Sequence, residues 1–278
     1  MRLRITTLSE NTADMGDVLA EQGVSFLVET EKETLLFDTG RGISTSYNAS
    51  VLGIDLSRVD KIILSHGHCD HTGGLRQVLR AMRKEVEVIA HPDMWANKYS
   101  RRRGKQERFI GTPFQRQELE SLGASFTMTT EPVKVADNVM TTGEVPMVTD
   151  YEEIDPDLFV KSDAGWQPDK LLDDLALIIN TERGLVIVLG CAHRGAINTL
   201  YHAQHLTGTR RIYAVLGGTH LYNASKERVR LTIAALKELD IGRLGLCHCT
   251  GLPAAGLLAQ EYGDRFFFNN TGTITESV

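Results

Sequence analysis

Six consecutive residues carry the densest chemistry in this chain: His66-Gly67-His68-Cys69-Asp70-His71. Imidazole nitrogens and carboxylate oxygens are the usual ligands of zinc and of similar divalent transition metals. Four such groups within six residues cannot all project one way from a helix or a strand, whose faces repeat about every 3.6 and 2 residues. A turn lets them fan out around a pocket, and Gly67, Gly73 and Gly74 supply the backbone freedom it needs. In such a turn His66 and His68 can face one metal while Asp70 and His71 face a second.

The turn must be held by neighbouring elements. Directly before it, residues 61–65 read as a short buried strand. Further apolar runs of strand length lie at 24–30, 34–37, 86–90, 175–181, 185–189, 211–216, 243–247 and 265–268. Two adjacent pairs read as hairpins, one turning through Glu31-Lys32-Glu33 and one through Glu182-Arg183-Gly184. Helical spacing appears at Leu75, Val78, Leu79 and Met82, with Arg83 and Lys84 behind them. It recurs at Val229, Ile233, Leu236 and Leu239, with Ser225 as N-cap. Hairpins early and late, with helices between and after, predict an α+β fold of two sheets sandwiched by outer helices. With no Pro/Gly/Ser-rich linker, a single domain over 1–278 is expected, carrying an insertion or cap around 92–130.

Composition narrows the function. The chain has 278 residues, 30 Lys+Arg against 36 Asp+Glu, and a net charge of −6. A global cationic field for nucleic acid is therefore missing, and no partner of that kind is expected. No apolar run approaches the ~20 residues that span a bilayer, and Met1 to Glu10 lacks a signal-peptide pattern. Four cysteines in this length do not make a disulfide scaffold, so a reduced, cytoplasmic setting is expected. Cys69, Cys247 and Cys249 read as packing residues, and His91, His202 and His205 have no partner pattern. The basic loop Arg101 to Lys105, with Arg108 nearby, could meet a substrate phosphate or simply be solvated.

The cluster His66 to His71 resembles the H-x-H-x-D-H motif of the metallo-β-lactamase superfamily. Leu35-Leu36-Phe37-Asp38-Thr39-Gly40 resembles that family's early strand, and His248-Cys249-Thr250-Gly251 its last metal-ligand segment. The resemblance implies a four-layer αββα sandwich and one or two divalent ions per chain, zinc first, with manganese or iron as alternatives. It implies a first site of His66, His68 and His193, with Glu144 or Cys191 competing for the last place. A second site would use Asp70, His71 and His248, and Asp38 would orient a ligand histidine from behind. Cys191 stands where many members carry a bridging aspartate, and Glu144 where many carry a histidine.

Further strings resemble a narrower subgroup, the 7,8-dihydropterin-6-methyl-4-(β-D-ribofuranosyl)aminobenzene-5′-phosphate synthases. They are Thr142-Gly143-Glu144-Val145-Pro146, Gly190-Cys191-Ala192-His193-Arg194-Gly195 and Leu216-Gly217-Gly218-Thr219-His220-Leu221. The expected activity is a metal-dependent hydrolase or transferase acting on a phosphorylated or ester small molecule, with Asp70 and His220 as catalytic groups. Asn48, after the Gly40-Arg41-Gly42 turn, is expected to touch substrate, and so are Arg194 and Asn198, where a helix opening at Gly195 would offer free N–H groups to an anion. Rival readings are an iron-dependent oxidoreductase in the same ligand cage, a nuclease and a metal sensor. The oligomeric state is left open, with a homo-oligomer as one outcome.

Overall fold

The computed structural model describes residues 2–102 and 104–277; Arg103 of the basic loop lies outside them. The chain forms two compact units. The first comprises Arg2–Thr130, Ile154–Asp173 and the chain from Asn270; the second comprises Glu131–Glu153 and Asp174–Asn269.

In the first unit, among the described residues, seven strands build one mixed sheet. They are β1 (Leu3–Ser9), β2 (Ser25–Glu29), β3 (Thr34–Phe37), β4 (Lys61–Ile63), β5 (Val86–Ala90), β8 (Ala124–Met128) and β18 (Ile274–Ser277), in the order β18-β1-β2-β3-β4-β5-β8. The strands β18, β1, β2 and β3 pair antiparallel, whereas β3, β4, β5 and β8 run parallel. Parallel pairing forces the chain to cross over between strands, and the crossovers carry helices. They include α1 (Ser44–Val51), α2 (Cys69–Thr72), α3 (Leu75–Met82) and α4 (Arg116–Ser121).

Helix α3 shows how the sequence produces this packing. Its predicted stripe Leu75, Val78, Leu79 and Met82 is buried to the last residue, and it joins Leu36, Ile62, Leu64 and Val88 in one core. Each such side chain contributes roughly 1.5–3 kcal/mol. Arg83 ends the helix in the left-handed region, with φ 53°.

A second, four-stranded sheet belongs to the same unit. It consists of β6 (Lys98–Ser100), β7 (Arg108–Phe109), β11 (Leu158–Ser162) and β12 (Gly165–Pro168), ordered β12-β11-β6-β7. The stretch 92–130 thus supplies two strands to this small sheet and one, β8, to the large sheet.

The second unit holds another seven-stranded sheet among the described residues: β9 (Lys134–Ala136), β10 (Val139–Thr141), β13 (Ala176–Thr181), β14 (Gly184–Leu189), β15 (Ile212–Gly217), β16 (Arg243–Leu246) and β17 (Phe266–Phe268). Their order is β17-β16-β15-β14-β13-β10-β9, parallel from β14 to β17 and antiparallel elsewhere. Helices α5 (Ala196–Thr207), α6 (Lys226–Glu238) and α7 (Leu252–Tyr262) connect the parallel strands. Ser225 caps α6 by accepting from Arg228 N–H at 3.1 Å, as its sequence position predicts. Both predicted hairpins form, β2–β3 and β13–β14, each in continuous antiparallel register.

The apolar runs predicted as strands lie within about two residues of the observed bounds. Unpredicted were β1, β6 to β12 and β18, which are short, threonine-rich or at sheet edges, so burial gives them no continuous apolar run.

Candidate metal centre

The chemistry-bearing residues sit just beyond the C-terminal ends of parallel strands. In the first unit Asp38 follows β3, and His66 to His71 follow β4 through α2. In the second, Cys191 and His193 follow β14, His220 follows β15 and His248 follows β16. At these ends a strand must turn sharply into a loop, and four non-glycine residues adopt left-handed φ to do so. They are Asp38 (59°), Ala192 (52°), His220 (49°) and His248 (51°). Such conformations cost of order 1 kcal/mol or more and gather where a site needs a particular backbone path.

Within the first unit the imidazoles are densely packed and shielded. His66, His68 and His71 are 1%, 5% and 0% exposed. His66 Nε2 lies 2.9 Å from His68 Nδ1. Two nitrogens that share a tetrahedral zinc ion at ~2.0–2.1 Å stand about 3.3 Å apart, so a small separation of these two rings would admit one ion. Burial, assisted by the Lys98 charge, pushes His68 down to about 3 against the opposing pull of Asp70 and Asp173. Its ring is therefore neutral at ordinary pH, as a metal ligand must be.

His71 is oriented from behind. Its Nδ1 lies 2.6 Å from Asp38 Oδ2, both side chains being fully buried. A carboxylate accepts here, so the ring carries its proton on Nδ1 and offers the Nε2 lone pair. Asp38 is itself fixed by Ser65, whose N–H and hydroxyl each donate to it at 2.7 Å. The Ser65 hydroxyl also lies 2.9 Å from His66 Nδ1. Asp38, Thr39 and α2 are further tied by Thr39 N–H and Oγ1, both donating to His71 O at 2.8 Å. Asp70 is half-buried, and Gln22 Nε2 donates to its Oδ2 at 3.4 Å.

The second unit carries a softer donor set. Ligand atoms of Cys191, His193 and His220 lie within 4.8 Å of one another, and so do those of Cys191, His248 and Cys249. The His193 and His220 rings stand 4.1 Å apart, centre to centre. Cys249, read from sequence as packing, accepts from His220 N–H at 3.3 Å. Burial would raise its thiol, but hydrogen bonds from Cys191 and His220 and the nearby imidazoles outweigh that and hold it well below the usual range. Gly218 makes room for this sulfur: a Cβ there would sit 2.5 Å from Cys249 Sγ. Glu144 is half-buried behind β10.

The residues expected to touch substrate are placed differently. Asn48 is wholly buried, its amide donating to Leu8 O and Leu19 O and accepting from Leu19 N–H. Asn198 is also buried; its Oδ1 accepts from Val148 and Thr149 N–H, and its Nδ2 donates to Arg194 O. Arg194 donates through Nε to Val145 O. The N–H groups that open α5 are taken by a protein carboxylate: Glu152 accepts from Ile197 at 3.0 Å and Asn198 at 2.8 Å. These three side chains thus brace the loops around His193 and the N-terminal stretch that packs on α1.

Sequence reasoning passed over Ser65, Glu152, Asp173 and Asp174. Asp173 accepts from Gly67 N–H and Asp174 from Arg194 N–H, each at 2.8 Å and each beside a candidate ligand histidine. The only sequence signal was a pair of aspartates set between Leu172 and Leu175.

Each unit's donors fit a divalent cation: in the first, buried imidazoles with His68 neutral and His71 braced by a carboxylate, and in the second, imidazoles beside thiols.

The family model for the metallo-beta-lactamase superfamily matches residues 18–248 of this chain. A curated relative, the 7,8-dihydropterin-6-methyl-4-(beta-D-ribofuranosyl)-aminobenzene-5′-phosphate synthase of Methanocaldococcus jannaschii, is 32% identical over 98% of this chain and 96% of its own. The crystal structure of Tm1679, a metal-dependent hydrolase of the beta-lactamase superfamily, is similar with a TM-score of 0.86 and 28% identity, over 99% of both chains. A diphosphatase from the PhnP family shares the fold at a TM-score of 0.58 and 13% identity, over 100% of this chain and 98% of its own.

Proposed function

The chain belongs to the metallo-β-lactamase superfamily and has its α+β fold, and from that premise we propose a metal-dependent transferase that joins an arylamine to a pterin. The observation that carries this reading is the 32% identity to the M. jannaschii synthase, which extends over 98% of the chain. The compound in that protein's name contains a bond between a pterin 6-methyl carbon and an aminobenzene nitrogen. Making it here requires the amine nitrogen to attack the methylene carbon, with a diphosphate leaving as the C–O bond breaks.

In the first unit His66, His68, Asp70 and His71 would serve as metal ligands, and in the second His193 and His248, with Cys191 or Glu144 as competing ligands. Zinc is the first choice, manganese and iron the alternatives, since ligand type selects weakly among them. Such ions supply Lewis-acid charge that neutralises a phosphorylated leaving group. The protein's own groups do the rest. Asp38 holds His71 in one tautomer, and Asp70 would orient the attacking nucleophile by accepting a hydrogen bond from it. His220, beside His193, takes or returns the proton. The substrate is a small anion; nucleic acid is not expected as a partner.

A hydrolytic reading is favoured by one finding, the likeness to a metal-dependent hydrolase at 28% identity. In that version water replaces the amine as nucleophile.

The test uses metal-loaded protein with a dihydropterin bearing a 6-methyl diphosphate, with and without the ribosylated aminobenzene phosphate. Product carrying the new C–N bond supports the transferase. Release of diphosphate without the amine, and no coupled product with it, supports the hydrolase. Turnover of neither, with zinc, manganese or ferrous iron, overturns both.

A further inference from the structure

The peptide between His66 and His68 is pinned from every side by residues outside the H-x-H-x-D-H motif. Gly67 N–H donates to Asp173 Oδ2 at 2.8 Å. Its carbonyl accepts from Thr112 Oγ1 at 3.3 Å, and the same hydroxyl donates to Met94 O at 2.9 Å. Its Cα faces the Met94 backbone so closely that a Cβ would stand 2.4 Å from Met94 O. Glycine is therefore required here for contact, not for φ.

Asp173 is in turn anchored by a lysine that the proposed chemistry does not use. Lys98 Nζ lies 2.9 Å from Asp173 Oδ1 and 2.9 Å from Asp169 Oδ2, with side-chain exposures of 1%, 0% and 5% respectively. A buried ammonium held between two carboxylates is costly to desolvate, and a fold keeps one where its geometry is needed or where removing a single partner is worse. Here the second carboxylate oxygen of Asp173 has a specific destination, the ligand loop. Lys98 opens β6, so the small sheet β12-β11-β6-β7 carries this anchor, while Met94 and Thr112 flank it in sequence.

We propose that Lys98 and Asp173 are positioning residues that set the His66–His68 spacing for metal through the Gly67 N–H, and that this is a function of the 92–130 stretch with its partner 154–173. The inference rests on the metal-binding reading above. Asp173 touches the ligand loop through the Gly67 N–H, and its charge and that of Lys98 also act on the His68 ring, so its effect should fall on metal affinity.

The experiment compares zinc and manganese dissociation constants, by competition with a chromogenic chelator, in wild type, Asp173→Asn, Asp173→Ala and Asp169→Asn. Thermal melting of the metal-free proteins is measured alongside. Both Asp173 variants leave Lys98 paired with Asp169, so no buried charge is stranded. Asp173→Asn keeps an oxygen that can accept from Gly67 N–H, whereas Asp173→Ala removes it. Loss of a group that orients a ligand typically costs about 10–100-fold in metal affinity. That loss is expected for Asp173→Ala, and Asp173→Asn, whose single oxygen serves either Lys98 or the Gly67 N–H, should fall between it and wild type. Asp169→Asn should lower the melting temperature and leave metal affinity unchanged.

A merely structural role would lower melting of the Asp173 variants without moving the dissociation constants, and that result overturns the proposal. If Asp173→Ala does not fold, Asp173→Leu decides: it fills a similar volume, offers no acceptor and leaves Lys98 paired with Asp169, so weaker metal binding supports the proposal and unchanged binding overturns it. Should wild type itself bind no metal, the reading of the site fails first, and the melting data then show what the network does for stability alone.

Discussion

His71 Nδ1 lies 2.6 Å from Asp38 Oδ2, between two side chains that solvent does not reach. The contact joins the loop after β3 to the helix after β4, and it decides which nitrogen of His71 faces away from the carboxylate. Asp38 adopts φ 59°, which aspartate and asparagine tolerate better than alanine. Asp38→Asn should therefore keep the backbone and most of the stability, yet lose about 10–100-fold in metal affinity, because an amide braces the imidazole less well. Asp38→Ala should lose both. Isothermal titration with zinc, beside urea midpoints, separates the two effects.

Metal should stabilise the folded chain. A ligand that binds only the native state at 100 times its dissociation constant adds about 2.7 kcal/mol. Exhaustive chelation should lower the melting temperature and abolish turnover, and re-addition of the native ion should restore both. His68→Ala should melt at nearly the same temperature with and without the ion. Scanning fluorimetry across zinc, manganese and ferrous iron gives the comparison.

The Lys98 network should leave a pH signature. Burial pulls the Lys98 amine down, but Asp173 and Asp169 outweigh it and hold it above its usual 10.5. A folded value above the unfolded one means that this stability is fully present below about pH 10.5 and is lost as pH rises through the folded value. Asp173 runs the other way: burial raises its carboxyl, yet Lys98 and the Gly67 N–H leave it below 3.8. Its contribution is present above about pH 3.8 and is lost as pH falls through the lowered value. Asp169, raised by burial, works against that acid limb. Lys98→Met, which strands two buried carboxylates, should cost about 3–5 kcal/mol near neutrality. The gap to wild type should narrow at both extremes, read as urea midpoints between pH 3 and pH 11.

Glu152 should be worth as much to the fold as a core side chain. It accepts from Ile197 and Asn198 N–H at the start of α5 while only 3% exposed. Glu152→Ala would leave two buried donors unmet, at about 1–3 kcal/mol each. Glu152→Gln, which keeps one oxygen and so leaves one donor unmet, should cost about half of that. Guanidinium unfolding of the three proteins gives the ranking.

Much of this molecule could be read from the chain alone, and the reason is local. The motif His66 to His71 needs a strand before it, and residues 61–65 announce it. Gly67, Gly73 and Gly74, expected to supply backbone freedom, are instead required by close backbone contacts, with Gly73 and Gly74 at ordinary φ of −67° and −78°. The stripe Leu75, Val78, Leu79 and Met82 fixes a helix because burial on one face demands that period. Likewise the resemblance of a few strings sufficed for the family, since those strings sit at strand ends where backbone path and ligand type are constrained together.

Other roles were invisible because they depend on partners far away in sequence. Asn198 lies beside His193 in the chain and looked like an anion contact, yet Glu152, 46 residues upstream, already occupies its N–H. Asn48 likewise spends its amide on Leu8 and Leu19. Lys98 and Asp173, 75 residues apart, become an ion pair only when β6 and the segment after β12 fold onto Gly67. Residue type and spacing determined which groups could bind metal. Tertiary structure alone decided which buried polar atoms were already satisfied, because a hydrogen bond is settled by distance and angle, and the sequence holds neither.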